Sequence, residues 1–111
     1  MNWMPLQEES QLEKIIADSG TVPQVIFKHS TRCPISSMVK NRIDKNDAPD
    51  GSNFYFLDLI KHRNVSNKIA EDFNVPHQSP QILVIQNGKC IYNESHSAIV
   101  FDDIEEAILQ H

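Results

Sequence analysis

The chain has 111 residues, 40% of them hydrophobic, and a net charge of −5 with a pI of about 5.4. That length suits one domain, residues 1–111, able to bury its own core, and the composition excludes a disordered chain. The acidic balance excludes a nucleic-acid binder that works by neutralising phosphates, and no apolar run reaches the ~18 residues of a membrane span. The opening Met1-Asn2-Trp3-Met4-Pro5-Leu6 lacks the basic start and long apolar segment of a signal peptide. Two cysteines are not the framework of a secreted disulfide protein. A cytoplasmic protein with reduced thiols is expected, with neither nucleic acid nor membrane as partner.

Residues 3–6 read as a short edge strand, since Pro5 is awkward in a central one. Ser10-Gln11-Leu12-Glu13 has the form of a capping box, with Ser10 as N-cap and Glu13 reaching back to its N–H. Leu12, Ile15 and Ile16 then share one face of a helix over about residues 10–19, with Gly20 as its stop. A strand over 24–28 follows, and its Val25-Ile26-Phe27 run is β-branched and aromatic, as in buried strands. Beyond it lies Ser30-Thr31-Arg32-Cys33-Pro34-Ile35-Ser36. Met38, Val39 and Ile43 then predict a helix over 37–45. Pro34 fits its first turn, where a missing N–H loses nothing and the fixed φ suits a helix start.

Cys33 therefore falls at or just before a helix N-terminus, where unpaired N–H groups and the positive end of the dipole favour an anion. The thiolate is the nucleophilic form of cysteine. A free thiol ionises near pH 8.5, and helix N-termini or adjacent cations lower this to roughly 3.5–7.5. Arg32 is such a cation. Ser36 stands where a dithiol site has its second sulfur, so this single thiol has to work with one from elsewhere. Most free cysteines are small buried hydrophobes. Strand, Cys-Pro and helix start in succession favour the reactive reading instead.

Residues 46–53 are a loop dense in turn formers. Phe54-Tyr55-Phe56-Leu57-Asp58-Leu59 has too few polar positions for a one-sided sheet and reads as a buried parallel strand. Asn64 is the expected cap of a helix carrying Val65, Ile69 and Phe73, ended by Val75-Pro76. Residues 81–85 form a strand, Asn87-Gly88 a two-residue turn and 89–92 the returning strand. Phe101, Ile104 and Ile108 space a last helix whose acidic start suits the helix dipole. The order β-α-β-α-β-α-β-β-α predicts an α/β fold, a mixed sheet with helices on both faces.

Ser79-Pro80 stands just before the strand at Ile82. Proline cannot donate to a ladder, and X-Pro is the one place where a cis bond is cheap. A cis bond would leave the Ser79 backbone facing the start of the Cys33 helix, able to pair with an extended substrate. A trans proline at a strand entrance is the alternative. Cys90, on a hairpin strand away from any helix start, reads as structural. The five histidines lack metal-ligand spacing, so no metal is expected. His29 reads as a partly exposed structural histidine beside the motif.

The Cys-x-x-Ser after the second strand, Ser79-Pro80 before the hairpin and the element order resemble the thioredoxin superfamily. More narrowly, His29-Ser30-Thr31-Arg32-Cys33-Pro34-Ile35-Ser36, the Trp3-x-Pro5-Leu6 opening and the proline after the third helix resemble the YtxJ family of monothiol bacilliredoxins. The resemblance covers nearly the whole chain. It implies a thioredoxin-like fold and a thiol–disulfide oxidoreductase that removes bacillithiol from protein–bacillithiol mixed disulfides. Cys33 would be its nucleophile, with Ser36 and Arg32 stabilising the thiolate and Thr31, Pro34, Ser79 and Pro80 contacting substrate. Bacillithiol is then a co-substrate rather than a bound cofactor, and the partners are bacillithiolated client proteins. Bacillithiol or another redox protein would regenerate Cys33. Such exchange works best with a thiol whose pKa is near ambient pH. No Trp-Cys-Gly-Pro-Cys is present, which argues against general dithiol reduction. The other readings are a thiol peroxidase or arsenate-reductase-like enzyme, for which Arg32 alone builds no adequate polar site, and a non-catalytic redox-sensing or interaction module on the same fold.

Overall fold

The computed structural model describes residues 1–109. Its strands are β1 (Met4–Pro5), β2 (Gln24–His29), β3 (Asn53–Asp58), β4 (Gln81–Gln86) and β5 (Lys89–Ser95). They form one sheet in the order β1-β3-β2-β4-β5. β1 and β2 flank β3 in parallel, β4 joins β2 antiparallel, and β5 returns antiparallel to β4. The helices are α1 (Ser10–Asp18), α2 (Pro34–Asp44), α3 (Arg63–Asp72) and α4 (Phe101–Leu109), with a 3-10 turn at His96–Ala98 before the last. The mixed α/β sheet and its element order are those expected.

β2 is central, and all six of its residues are buried. Successive side chains of a strand face opposite sides of the sheet. Ile26 accordingly joins Leu12, Ile15, Val65 and Ile69 in one layer. Val25 and Phe27 join Val39, Ile43, Ile104 and Ile108 in the other. A strand packed on both faces needs the unbroken apolar run seen in its sequence.

Local details depart from the sequence expectations. Ser10 lies inside α1, whose N-cap is Glu9 without a side-chain capping bond. The Gln11 side-chain oxygen instead accepts from the backbone N–H of Gln7 at 2.7 Å and of Glu8 at 2.9 Å, fixing the approach to the helix. Asn64 does not cap α3, which starts after His62; its amide donates to Glu9 at 3.0 Å and ties α3 to α1. α2, by contrast, begins at Pro34 as its fit to the first turn predicted, because a proline at the first helical position is already set for the helix. α1 ends at Asp18, with Gly20 just past its C-cap as expected. Buried Ser19 caps it, and also accepts from the N–H groups of Asn87 and Gly88 at 2.8 and 2.9 Å. That turn has φ of 52° and 73°, the left-handed pair a tight hairpin requires.

The register positions the site. Lys28 lies opposite Gln81 and His29 opposite Asp58. The loop leaving β2, with Cys33, and the segment entering β4, with Ser79 and Pro80, therefore emerge at one end of the sheet. Leu59 N–H to His29 O at 3.0 Å and His96 N–H to Pro80 O at 2.9 Å close that end.

Candidate active site

Cys33 is the N-cap of α2, with extended backbone (φ −106°, ψ 115°), and Pro34 follows at the first helical position. Its N–H donates to Ser30 O at 3.2 Å, and its carbonyl accepts from Ser37 N–H at 3.2 Å. One turn thus delivers the cysteine and the helix begins directly upon it. Ser30 Oγ accepts from Arg32 N–H at 3.4 Å and tightens that turn. Cys33 is half-buried, while Thr31, Arg32 and Pro34 are exposed around it. Ile35 and Met38, each 44% exposed, extend this rim with apolar surface.

The Ser79–Pro80 bond is cis, which settles the isomer that the sequence left open. Pro80 is buried and Ser79 half-buried. Ser79 Oγ is a buried hydroxyl without a hydrogen-bond partner among the described residues.

Ser36 was expected to hydrogen-bond the Cys33 thiolate. Its buried hydroxyl instead accepts from Ser30 N–H at 3.1 Å and lies 2.7 Å from His29 Nδ1. No hydrogen bond joins it to Cys33 among the described residues. The reason is that Ser36, one turn into α2, faces the sheet and meets the end of β2. It holds the loop that carries the cysteine. His29 is not partly exposed, as its sequence position suggested, but only 5% exposed. Its ring packs 5.2 Å from Phe56 and 5.8 Å from Phe27. Burial, aided by the Lys40 charge, lowers its pKa despite Asp58 and Asp44. The neutral ring is therefore favoured at pH 7, and a single hydrogen bond joins it to the Ser36 hydroxyl. Ser36→Ala is expected to lower stability by about 1–2 kcal/mol, because it strands Ser30 N–H and His29 Nδ1 together. Urea denaturation checks this; a wild-type midpoint would mean the hydroxyl does not hold the loop.

Cys90 is half-buried on β5, its thiol donating to Tyr92 O at 3.3 Å. Burial pushes that thiol's pKa up. Cys90 pairs with Ile85, and Ile85 with Gln24 at the start of β2. The two cysteines thus lie toward opposite ends of the sheet.

Sequence reasoning passed over Lys28, a fully buried lysine. Its ammonium donates to Ser66 O at 3.2 Å and lies 3.4 Å from His77 Nδ1. Burial lowers its pKa to about 8. A lysine closing an apolar strand reads as a surface residue in sequence. Only the packing of α3 and the segment before β4 over it shows otherwise.

A cysteine at the start of α2, presented at the same sheet end as a cis-proline, defines the class: a thioredoxin-fold oxidoreductase. Solved structures bear out the fold. One described by its thioredoxin fold has a TM-score of 0.81 at 29% identity, covering 94% of this chain and 91% of that one. Thioredoxin from Malassezia sympodialis has a TM-score of 0.76 at 19% identity, covering 99% of this chain and 90% of its own. That of Fasciola hepatica has a TM-score of 0.74 at 18% identity, with 96% and 97% covered. The chain belongs to the monothiol bacilliredoxin family, BrxC, whose model matches residues 4–104.

Proposed function

We propose that this protein removes bacillithiol from protein–bacillithiol mixed disulfides in the cytoplasm, with Cys33 as nucleophile. The Cys33 thiolate attacks the bacillithiol sulfur. A Cys33–bacillithiol disulfide forms as the client S–S bond breaks, and the client sulfur leaves as a thiolate that takes up a proton. A second thiol, from bacillithiol or another redox protein, then attacks the adduct. Cys33 is restored and that thiol departs joined to bacillithiol, so each disulfide formed replaces one broken.

The observation that carries this reading is the placement of Cys33 alone at the helix start, with Cys90 toward the other end of the sheet. A single thiol cannot close an internal disulfide, so its product is a mixed disulfide. The exposed Pro34, Ile35 and Met38 give the apolar rim on which a protein client rests. Ser79 and Pro80, together with Thr31, are proposed to receive the chain flanking the modified client cysteine. Arg32, exposed beside the thiolate, supplies positive charge to it.

The test is intact mass after mixing reduced protein with a bacillithiolated model protein. Appearance of the bacillithiol adduct on Cys33, with the client returned to free thiol, is the expected result. No adduct on either cysteine would retire the enzymatic reading.

A further inference from the structure

We propose that His29 is a positioning residue for Cys33: its Nδ1 accepts a hydrogen bond from the Ser36 hydroxyl and so fixes the turn that presents the thiol. This role rests on the function proposed above only in taking Cys33 as the reacting thiol.

An unbroken chain of hydrogen bonds runs from the end of β2 to the cysteine. Ser36 Oγ lies 2.7 Å from His29 Nδ1 and accepts from Ser30 N–H at 3.1 Å. Ser30 O accepts from Cys33 N–H at 3.2 Å, and Cys33 O accepts from Ser37 N–H at 3.2 Å. Ser30 N–H can only donate, so it occupies a lone pair of the Ser36 oxygen and leaves the hydroxyl proton to be placed. Ser36 is wholly buried, and a buried donor without an acceptor is costly. The ring nitrogen is the other partner of that hydroxyl among the described residues. It therefore accepts, and the neutral ring carries its own proton on Nε2.

Packing alone does not call for a histidine at this place. The ring sits among Phe27 and Phe56 and is 5% exposed, where a phenylalanine would fit as well. Burying an imidazole costs the hydration of its nitrogens, and a hydrogen bond at Nδ1 recovers part of that cost. The backbone holds the ring to its task, since Leu59 N–H donates to His29 O at 3.0 Å and Asp58 is its cross-strand neighbour. Burial first, then Lys40 of α2, oppose a charge on the ring and outweigh Asp58 of β3 and Asp44 of α2. An uncharged ring is the form whose Nδ1 can accept.

Without that acceptor the Ser36 proton has to be satisfied within its own helix. A helical serine lacking another partner bonds the carbonyl three or four residues back. For Ser36 those carbonyls belong to Cys33 and Arg32. Loss of the ring nitrogen thus disturbs the cysteine's own backbone, and with it the turn from Ser30.

The test compares the rate at which iodoacetamide alkylates Cys33 at pH 7 with the urea midpoint, both in a Cys90→Ser background. His29→Phe keeps the ring packing and loses the acceptor. His29→Asn loses the ring and keeps an acceptor, its side-chain oxygen standing in for Nδ1. The two measurements are expected to rank the variants in opposite orders. His29→Phe is the more stable, yet its thiol is slower than the unaltered one by about fivefold, the worth of one hydrogen bond. His29→Asn is the less stable, yet its thiol reacts at close to the unaltered rate. Ser36→Ala should slow Cys33 as His29→Phe does, and the two combined no further, because they act in one chain. A His29→Phe thiol as fast as the unaltered one, or faster, overturns the proposal. So does a combined variant in which the two losses multiply, and these results decide it whether or not His29→Asn folds. A His29→Asn thiol as slow as that of a folded His29→Phe also overturns it. Rates as expected, with no bacillithiol adduct on Cys33 from a modified client, would retire bacillithiol as the thiol and leave the role of His29 standing.

Discussion

Cys33→Ser is expected to reduce bacillithiol transfer to background, a loss of at least about a thousandfold, as removal of a nucleophile does. A serine hydroxyl in this place has the helix N-terminus but no ionised form at neutral pH with which to attack sulfur. Cys90→Ser is expected to retain most of the activity. Cys90 lies beside Ile85, which pairs with the first residue of β2, whereas Cys33 lies beyond the last. Six residues of strand span roughly 20 Å, and a disulfide needs Cα atoms within about 7 Å. Cys90 therefore cannot resolve the Cys33 adduct without the sheet coming apart. Its own thiol is held mostly protonated by burial. Single-turnover rates on a bacillithiolated client, with intact masses of both variants, check the pair. Equal loss in the two variants would sink the monothiol mechanism.

Lys28→Met is expected to stabilise the fold at pH 7 and to remove part of its pH dependence. Burial lowers the folded-state pKa of Lys28 from 10.5 to about 8. An unfolded chain keeps that proton up to its ordinary value. Between pH 8 and 10.5 the unfolded state therefore binds more protons, and stability rises with pH. Below pH 8 both states are protonated and the cost of burying the ammonium is present in full, on the order of 3 kcal/mol. Methionine fills similar space without a charge. The bonds it forfeits are modest, since His77 Nδ1 keeps Ser66 Oγ nearby. Urea denaturation of both proteins at pH 7 and pH 10 reads the difference, and contributions from groups common to the two, the tyrosines included, cancel between them. An equal rise with pH in the variant would show that the buried amine is not its source.

The architecture was legible in the sequence because it follows from local pattern. Val25-Ile26-Phe27 and Phe54-Tyr55-Phe56-Leu57 are continuous apolar runs, and only strands covered on both faces need them. Ser10 and Asn64 show the limit of the same reading. Capping side chains compete with partners distant in sequence, and here Gln11 and the Asn64–Glu9 bond prevailed.

By itself the sequence determined the local setting of the proposed nucleophile: a cysteine before Pro34, at the entry to a helix and next to a buried strand. Those features depend on neighbours a few residues apart, whose propensities act in any context. Only the tertiary structure decided the rest. The inward turn of Ser36 to His29 and the burial of Lys28 under His77 and Ser66 join residues from different elements, and the cis state of Ser79–Pro80 is seen only in the folded chain. Burial and hydrogen bonding across such distances are properties of the packed sheet and helices, and no local pattern encodes them.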